Sequence, residues 1–303
     1  MQVSAILLTS GQKSTAQALR SLREQSHPLT EILTIEGVRP FAAAFNAGVK
    51  RVSTPFFLQC DADMILHKTC LQQLLAKMQR RTALVTGMLD DPLQGQISGV
   101  KLFRTEVCRQ FPLTPEPPCD VRQMQEWQAQ GWELSIVRFV VGEHGGDLSD
   151  ETYQFERFAF LGHKIRLRNQ WSHLHQQLRR LGEQPGELAA MAVAATLWGV
   201  FSTSVPEPQS LDRPSAAYRS WQRGGNASPG MPEDLPADSR QCFDAGREAP
   251  REGCPWLEFI ESALASSRRR DLVYLAGSCW AMLGGAAAPT VGVTEFCEWN
   301  SVD

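Results

Sequence analysis

Apolar and polar positions along the first half of the chain alternate between two spacings. Short apolar runs predict strands over 3–9, 31–35, 55–60 and 83–86. Between them, apolar residues recur three or four positions apart, which predicts amphipathic helices over 14–25, 41–52 and 67–80. Ser14 is expected to cap the first of these helices. Strands joined by helices of this length indicate parallel βαβ units with right-handed crossovers.

The pattern changes beyond residue 87. Strands are predicted over 100–103 and 132–141, and helices over 120–130, 152–161 and 170–181. The proline-rich stretch 111–118 predicts a stiff loop, because proline cannot continue a ladder or a helix interior. Residues 206–252 are dense in Pro, Gly, Ser and acidic residues, which predicts a long loop or a disordered stretch. Helical spacing returns over 256–282.

These elements predict an α/β protein with a mixed, mostly parallel sheet flanked by helices. The expected division is a sheet domain at 1–181 and a mainly helical or irregular C-terminal extension at 182–303, which includes the Pro/Gly-rich stretch 206–252. The uncharged runs 188–205 and 272–294 approach the length of a membrane span, about 18 residues or more. Both are rich in Ala, Gly, Ser and Thr, so buried helices are expected, and peripheral membrane contact stays open.

Composition narrows the classes of function. A formal charge of -3, from 30 basic and 33 acidic residues, provides no basic surface for nucleic acid. None of the eight cysteines forms a CxxC pair, which argues against a zinc ribbon or a thioredoxin-type site. The first residues lack the basic region of a secretion signal, so the expected compartment is the cytoplasm.

Two acidic residues mark the end of a predicted strand. Asp61-Ala62-Asp63 directly follows the apolar run 55–60. Two carboxylates on one side of a strand repel each other unless a cation or hydrogen-bond donors lie between them. Carboxylate oxygens suit Mg²⁺ and Mn²⁺, and ligands of open α/β sheets bind at the carboxyl ends of the strands. The pair therefore predicts a divalent cation that holds nucleotide phosphates; a polar turn or a helix N-terminus is the alternative.

The first 170 residues resemble family 2 glycosyltransferases, the nucleotide-sugar enzymes with the GT-A (Rossmann-like) fold. The order and spacing of four segments carry the resemblance: Ser21-Leu-Arg-Glu-Gln-Ser-His-Pro28, Glu31-Ile-Leu-Thr-Ile-Glu36, Phe45-Asn-Ala-Gly48 and Phe57-Leu-Gln-Cys-Asp-Ala-Asp63. The resemblance implies transfer of a sugar, with inversion, from a nucleoside diphosphate sugar to a glycan, lipid-linked or protein acceptor. It also implies Mn²⁺ or Mg²⁺ as cofactor.

The resemblance also implies roles for individual residues. Asp63 and His144 match the metal ligands, with Asp61 beside the metal or the ribose. Glu36 stands where these enzymes bind the base of the donor. Thr9 belongs to the loop that lines the nucleotide, and Gly99 matches a segment near the acceptor and is counted with the donor-binding residues.

Asp120 matches the acid that serves as the general base. From its sequence context it reads equally well as the N-cap of a helix, with Gln123 as its capping-box partner. Glu116, Asp90 and Asp91 are the other candidates for the base.

The chain departs from the family pattern at three positions. Glu36-Gly-Val-Arg39 lacks the usual Asp-Gly-Ser run, Phe45 replaces an Arg, and Cys119 replaces the first acid before Asp120. These departures keep open a catalytically silent GT-A-like binding module. A nucleotidyltransferase also stays open, since it shares the sheet and the metal chemistry, although Gly11-Gln-Lys13 only weakly matches its phosphate loop.

Overall fold

The computed structural model describes residues 1–115, 119–168, 171–182, 184 and 187–201. The chain divides into two compact units, Met1–Ser149 and a second that begins at Asp150. The predictions for 206–252, 256–282 and 272–294 lie outside the described residues. The assignment of catalysis to residues 1–181 and of an extension to 182–303 stays a prediction.

The first unit is built on a seven-stranded sheet with the strand order β2-β1-β3-β6-β5-β7-β4. β1 is parallel to β2 and β3, and β5 is parallel to β7, whereas β6 and β4 run antiparallel to their neighbours. The predicted α/β class and mixed sheet are therefore confirmed, although the sheet is not mostly parallel, since three of its six strand pairs are parallel and three antiparallel. The strands are β1 (Val3–Thr9), β2 (Glu31–Glu36), β3 (Phe56–Asp61), β4 (Met64–Leu66), β5 (Thr82–Asp91), β6 (Gly95–Arg104) and β7 (Glu133–His144).

Helices cover both faces of this sheet. They are α1 (Thr15–Arg23), α2 (Phe41–Arg51), α3 (Cys70–Leu75), α4 (Thr105–Gln110) and α5 (Cys119–Ala129). Side chains that alternate along a strand point to opposite faces. Leu7 accordingly packs with α1 and α3, and its neighbour Ile6 packs with α2, α4 and α5.

An aromatic cluster fixes α2 and α5 on the second face. Phe57 and Phe103 stack with ring centroids 5.0 Å apart, and Trp127 of α5 meets Phe103 edge-on at 6.1 Å. Phe45 of α2 contacts the same two phenylalanines. Gly48 lets α2 lie close to β1, because a Cβ there would stand 2.7 Å from Ile6 Cγ2. Packing in this cluster explains why position 45 holds a buried phenylalanine.

Several local predictions differ from the structure; for example, the strand and the helix predicted to end at 141 and 161 continue to His144 and Leu167. β5 and β6 form a long hairpin whose polar outer halves hid them from a pattern based on apolar runs. β4 and α4 were missed because they are only 3 and 6 residues long. The third helix is confined to Cys70–Leu75. Ser14 precedes α1 without a side-chain capping bond, since its own backbone is already helical.

The second unit contains helices α6 (Glu151–Leu167), α7 (Trp171–Gly182) and α8 (Glu187–Phe201). α6 and α8 pack with their backbones in contact at Gly199, where a Cβ would stand 1.8 Å from the Ala159 carbonyl oxygen. α8 covers most of the uncharged run 188–205. Among the described residues, no helix is both long and apolar enough to span a bilayer.

Candidate active site at the carboxyl ends of the strands

The carboxyl ends of the three parallel strands bring three of the four predicted donor-binding residues to one edge of the sheet. Thr9 of β1 lies opposite Glu36 of β2, and Leu8 lies opposite Asp61 of β3. Glu36 is exposed, and Asp61 is half-buried. This edge is the position at which open α/β sheets bind ligands.

The loop after β1 is shaped by the Thr9 side chain. Its hydroxyl donates to Gln12 Oε1 at 3.0 Å and accepts a hydrogen bond from the Gly11 backbone N–H at 3.0 Å. It also shares a hydrogen bond of 2.9 Å with the Thr15 hydroxyl. The structure thus assigns the hydroxyl to holding the loop, and direct contact of Thr9 with a donor stays a prediction.

The short strand β4 brings Asp63 to the end of β7. Met64 pairs with His144, and the Asp63 carbonyl oxygen accepts hydrogen bonds from the Gly145 and Gly146 N–H groups at 3.1 and 3.2 Å. Asp63 Oδ2 lies 3.2 Å from His144 Nε2. The strand predicted to end at 141 would leave His144 in a loop, and this is wrong, because His144 is the last residue of β7.

Three glycines explain both the wrong prediction for His144 and the close pairing of β4 with β7. Gly142, Gly145 and Gly146 surround His144 and are typical of a loop. A Cβ at Gly142, however, would stand 2.6 Å from the Ile65 carbonyl oxygen, so glycine there permits β7 to approach β4. Gly145 and Gly146 adopt φ of 123° and 64°, which favours glycine immediately after the strand.

Asp91 is the residue behind His144. Its carboxylate accepts from His144 Nδ1 at 2.7 Å and from the Leu93 and Gln94 backbone N–H groups at 2.9 and 2.8 Å. Its side chain has 0% exposure. The earlier alternative of Asp91 as general base is therefore wrong, because a fully enclosed carboxylate cannot reach an acceptor. Its sequence signal is Asp91-Pro92, since an Asp before a tight turn commonly accepts backbone N–H groups.

Asp61 carries an electrostatic penalty. Burial raises its pKa, the nearby charge of Asp63 raises it further, and together they bring the pKa to about 6. The charges of Lys101 and His144 and a 2.6 Å hydrogen bond from Gln59 Nε2 oppose this rise. Lys101 is a site residue that sequence reasoning missed; the signal was a lysine inside an otherwise apolar strand. At neutral pH the site concentrates negative charge that a cation would neutralise.

The residues present fit a divalent cation that shares its coordination with a ligand. Within the described part of the chain, no three His, Cys, Asp or Glu side chains are gathered closely enough to hold a metal alone. Asp63 Oδ2 and His144 Nε2, 3.2 Å apart, are spaced like adjacent ligands of one small cation, for which about 3 Å is expected from ligand distances of about 2.1 Å. Mg²⁺ commonly takes only one or two carboxylates and completes its coordination with water and substrate phosphates.

Asp120 lies on a different element. It is the second residue of α5, so it lies within the helix and the N-cap interpretation is wrong. α5 packs on the face of the sheet that carries the aromatic cluster. The predicted capping partner Gln123 is buried and donates instead to the Phe111 carbonyl oxygen at 2.7 Å. Glu116 lies outside the described residues. The role of Asp120 as base stays a prediction.

The loop that leads toward Asp120 is held by the Asn-Ala-Gly segment. Asn46 Nδ2 donates to the Leu113 carbonyl oxygen at 2.8 Å, and Asn46 Oδ1 accepts from the Leu113 N–H at 3.1 Å. With the Gln123 bond, these contacts fix the start of the loop between α4 and α5. Asn46 therefore has a structural task that the sequence did not reveal.

Gly99 lies in the interior of β6. A Cβ there would stand 2.2 Å from Leu89 Cδ1, so core packing already explains the glycine. Its assignment to donor binding stays a prediction.

Replacing Asp61 with Asn is expected to stabilise the metal-free protein at high pH. The folded pKa of about 6 exceeds the unfolded value of about 3.9, so the ionised carboxylate lowers stability progressively as pH rises through this window. Asn retains the acceptor for Gln59 but carries no charge. In EDTA we expect a gain of about 1 to 3 kcal/mol at pH 8 and almost none at pH 4, measured by urea unfolding. A variant less stable than wild type at pH 8 would contradict this.

A comparison with known protein families finds a match that lies within the first unit. Residues 6–96 match the family described as Glycosyl transferase family 2, a stretch from β1 into β6 that includes Asp61, Asp63 and Asp91. No curated protein sequence matches the chain. The resemblance stated from the sequence is thus confirmed over residues 6–96.

Three solved structures show distant similarity. A mannosyltransferase from Pyrobaculum calidifontis, solved with GDP-Man and Mn²⁺, has a TM-score of 0.44 at 11% identity over 93% of this chain and 85% of that chain. Glucosyl-3-phosphoglycerate synthase from Mycobacterium tuberculosis, solved with Mn²⁺, UDP and phosphoglyceric acid, has a TM-score of 0.42 at 14% identity over 61% of this chain and 80% of that chain. The bifunctional IspDF from Campylobacter jejuni has a TM-score of 0.38 at 12% identity over 50% of this chain and 53% of that chain, so the similarity spans about half of that protein. These values are too low to carry an argument about activity.

Proposed function

Because residues 6–96 are a glycosyl transferase family 2 segment, we propose that the protein is a metal-dependent, inverting glycosyltransferase. It moves a sugar from a nucleoside diphosphate sugar to a hydroxyl of a glycan, a lipid-linked or a protein acceptor. The observation that supports this most is the convergence of Asp61, Asp63 and His144 at the carboxyl edge of the sheet. The family match alone would support a transferase without saying how the leaving diphosphate is stabilised.

The donor lies along the ends of β1, β2 and β3 in this proposal. Glu36, exposed at the end of β2, accepts hydrogen bonds from the base or ribose. The loop after β1, held in shape by the Thr9 hydroxyl, lines the nucleotide. These contacts bind and orient the donor before any bond breaks.

Asp63 and His144 hold the divalent cation, Mn²⁺ or Mg²⁺, with Asp61 beside it. When bound, the cation neutralises the charge that develops on the diphosphate as the anomeric C–O bond breaks. Lys101 adds a positive charge on the same side, as its effect on Asp61 indicates.

Asp120 removes the proton of the acceptor hydroxyl. That oxygen attacks the anomeric carbon from the side opposite the departing diphosphate, which inverts the configuration at that carbon. The proposal requires the first turn of α5 to face the acceptor. Gln123, near the start of this helix, is bonded to the Phe111 carbonyl oxygen.

Product identity tests the proposed reaction. The purified chain is incubated with a panel of sugar nucleotides and, separately, nucleoside triphosphates with sugar phosphates, with Mg²⁺ or with EDTA. We expect one sugar nucleotide to release its nucleoside diphosphate and free sugar slowly in Mg²⁺, and none in EDTA. Anion-exchange chromatography separates these products.

The two rival functions predict different products. Pyrophosphate released from a nucleoside triphosphate would replace the proposal with a nucleotidyltransferase. Binding of a nucleotide without any product, even with glycan and lipid-linked acceptors added, would favour a silent binding module.

A further inference from the structure

The ring of His144 is held between two carboxylates that have different surroundings. On one side Nε2 faces Asp63 at the site. On the other side Nδ1 contacts Asp91, whose side chain is buried in the protein interior. We propose that Asp91 is a positioning residue: it holds the hydrogen of His144 on Nδ1, so that the Nε2 lone pair is presented toward Asp63 and the cation. This inference rests on the proposed function for the identity of what Nε2 binds.

The Asp91 carboxylate is buried and is held in one orientation by hydrogen bonds. Its side chain has 0% exposure, compared with 13% for His144 and 9% for Asp63. Oδ1 accepts from the Leu93 and Gln94 backbone N–H groups, which fixes the carboxylate within the turn between β5 and β6. Oδ2 accepts from His144 Nδ1 at 2.7 Å and, at the longer distance of 3.5 Å, from Gln94 Nε2.

The strand arrangement places the two residues side by side. β5 and β7 are parallel neighbours, and Asp90 lies opposite Glu143, the residues immediately before Asp91 and His144. Asp91 is the last residue of β5 and His144 the last of β7. The contact is therefore set by the sheet register and does not depend on a mobile loop.

The hydrogen on His144 follows from this geometry. A carboxylate oxygen can only accept, so a 2.7 Å contact with Asp91 Oδ2 requires the hydrogen on Nδ1. In the neutral ring Nε2 is then an acceptor, and it faces another acceptor, Asp63 Oδ2, at 3.2 Å. Two facing acceptors are stable only with a positive charge between them, which a bound cation supplies or, in the metal-free protein, a second ring hydrogen on Nε2. Carboxylates behind metal-binding histidines act in this way in other proteins.

Asp91→Asn tests the role without removing the turn. The Asn carbonyl oxygen can still accept from Leu93 and Gln94, while its NH₂ group takes the place of Oδ2. That group donates to Nδ1, which moves the ring hydrogen to Nε2 and removes the lone pair. Glu143→Gln, the same carboxylate-to-amide change at the exposed residue beside His144, is the matched control.

Two measurements are made on the full chain. Nitrogen-15 NMR of labelled histidine, recorded on the metal-free protein at a pH high enough to leave the His144 ring neutral, reports which ring nitrogen carries hydrogen, with His144→Ala to assign the signal. Mn²⁺ titration without nucleotide, followed by EPR up to concentrations that saturate a weak site formed by protein ligands alone, gives the metal affinity. We expect Nδ1–H in wild type and in Glu143→Gln, and Nε2–H with about 10- to 100-fold weaker Mn²⁺ binding in Asp91→Asn.

A double-mutant cycle separates positioning from general stability. Since Asp91 acts through His144, Asp91→Asn should weaken Mn²⁺ binding no further in the His144→Ala background. An equal further loss there, Nε2–H in wild type, or unchanged Mn²⁺ affinity in Asp91→Asn would overturn the proposal. Failure of the proposed function is distinguishable: a chain that binds Mn²⁺ as expected but releases no nucleoside diphosphate leaves the Asp91 result intact.

Discussion

Replacing Asp63 with Asn is expected to lower kcat/KM for the sugar nucleotide by about 10³-fold or more, because the leaving diphosphate would lose a cation worth several kcal/mol. Asp63 is the residue on which the site converges. Its side chain faces His144, and its carbonyl oxygen is bound by the glycines after β7. Asn is nearly the same size and keeps one oxygen, so the backbone contacts should persist while the negative charge is lost. Initial rates of nucleoside diphosphate release in saturating Mg²⁺ measure the effect.

The control for Asp63→Asn is Glu143→Gln, which neutralises an exposed carboxylate one residue from His144. We expect it to keep the wild-type rate. Mn²⁺ affinity of Asp63→Asn should fall together with the rate, whereas its melting temperature in EDTA should not. A variant that turns over at the wild-type rate would show that Asp63 does not hold the cation.

Replacing Asp120 with Asn is expected to lower kcat by about 10² to 10⁴-fold while leaving KM for the donor and Mn²⁺ affinity unchanged. The reason is that a general base assists only the step in which the acceptor hydroxyl attacks. Asn cannot take up the proton, although it fits the same first turn of α5. The measurement is the rate of sugar transfer to acceptor, once a donor and an acceptor pair is known.

Stability distinguishes catalysis from stabilisation of the helix dipole at Asp120. A carboxylate in the first turn of a helix contributes about 0.3 to 1 kcal/mol through the helix dipole. If Asp120→Asn lost about that much stability while the transfer rate stayed at the wild-type level, the carboxylate would serve the helix and not the reaction.

The alternating apolar pattern predicted most of the fold that carries the site. β1 has the predicted bounds, β2 and α2 differ from them by one residue at one end, and β3 and α5 by one residue at each end. The apolar spacing of these elements reflects burial against one sheet. The acidic pair after β3 also lies at the predicted edge, since parallel strands place their carboxyl ends together.

The contacts within the site were beyond sequence reasoning. The approach of Asp63 to His144 depends on β4, three residues whose pairing with β7 leaves no periodic signal. The role of Asp91 depends on the register of β5 and β7, two strands separated in sequence by β6, α4 and α5. Asn46 and Phe45, which belong to a segment that carries the family resemblance, are explained by contacts with Leu113 and the aromatic cluster. Such contacts are set by tertiary packing.

The measurement that tests the central claim most directly is the thermal shift of the wild-type chain with a panel of nucleoside diphosphates, each in Mn²⁺ and in EDTA. Asp63 and His144 are proposed to bind the diphosphate only through the cation. One nucleoside diphosphate should therefore raise the melting temperature in Mn²⁺, and the same compound should have little effect in EDTA. Equal stabilisation in Mn²⁺ and EDTA, or no response to any nucleotide, would contradict the account.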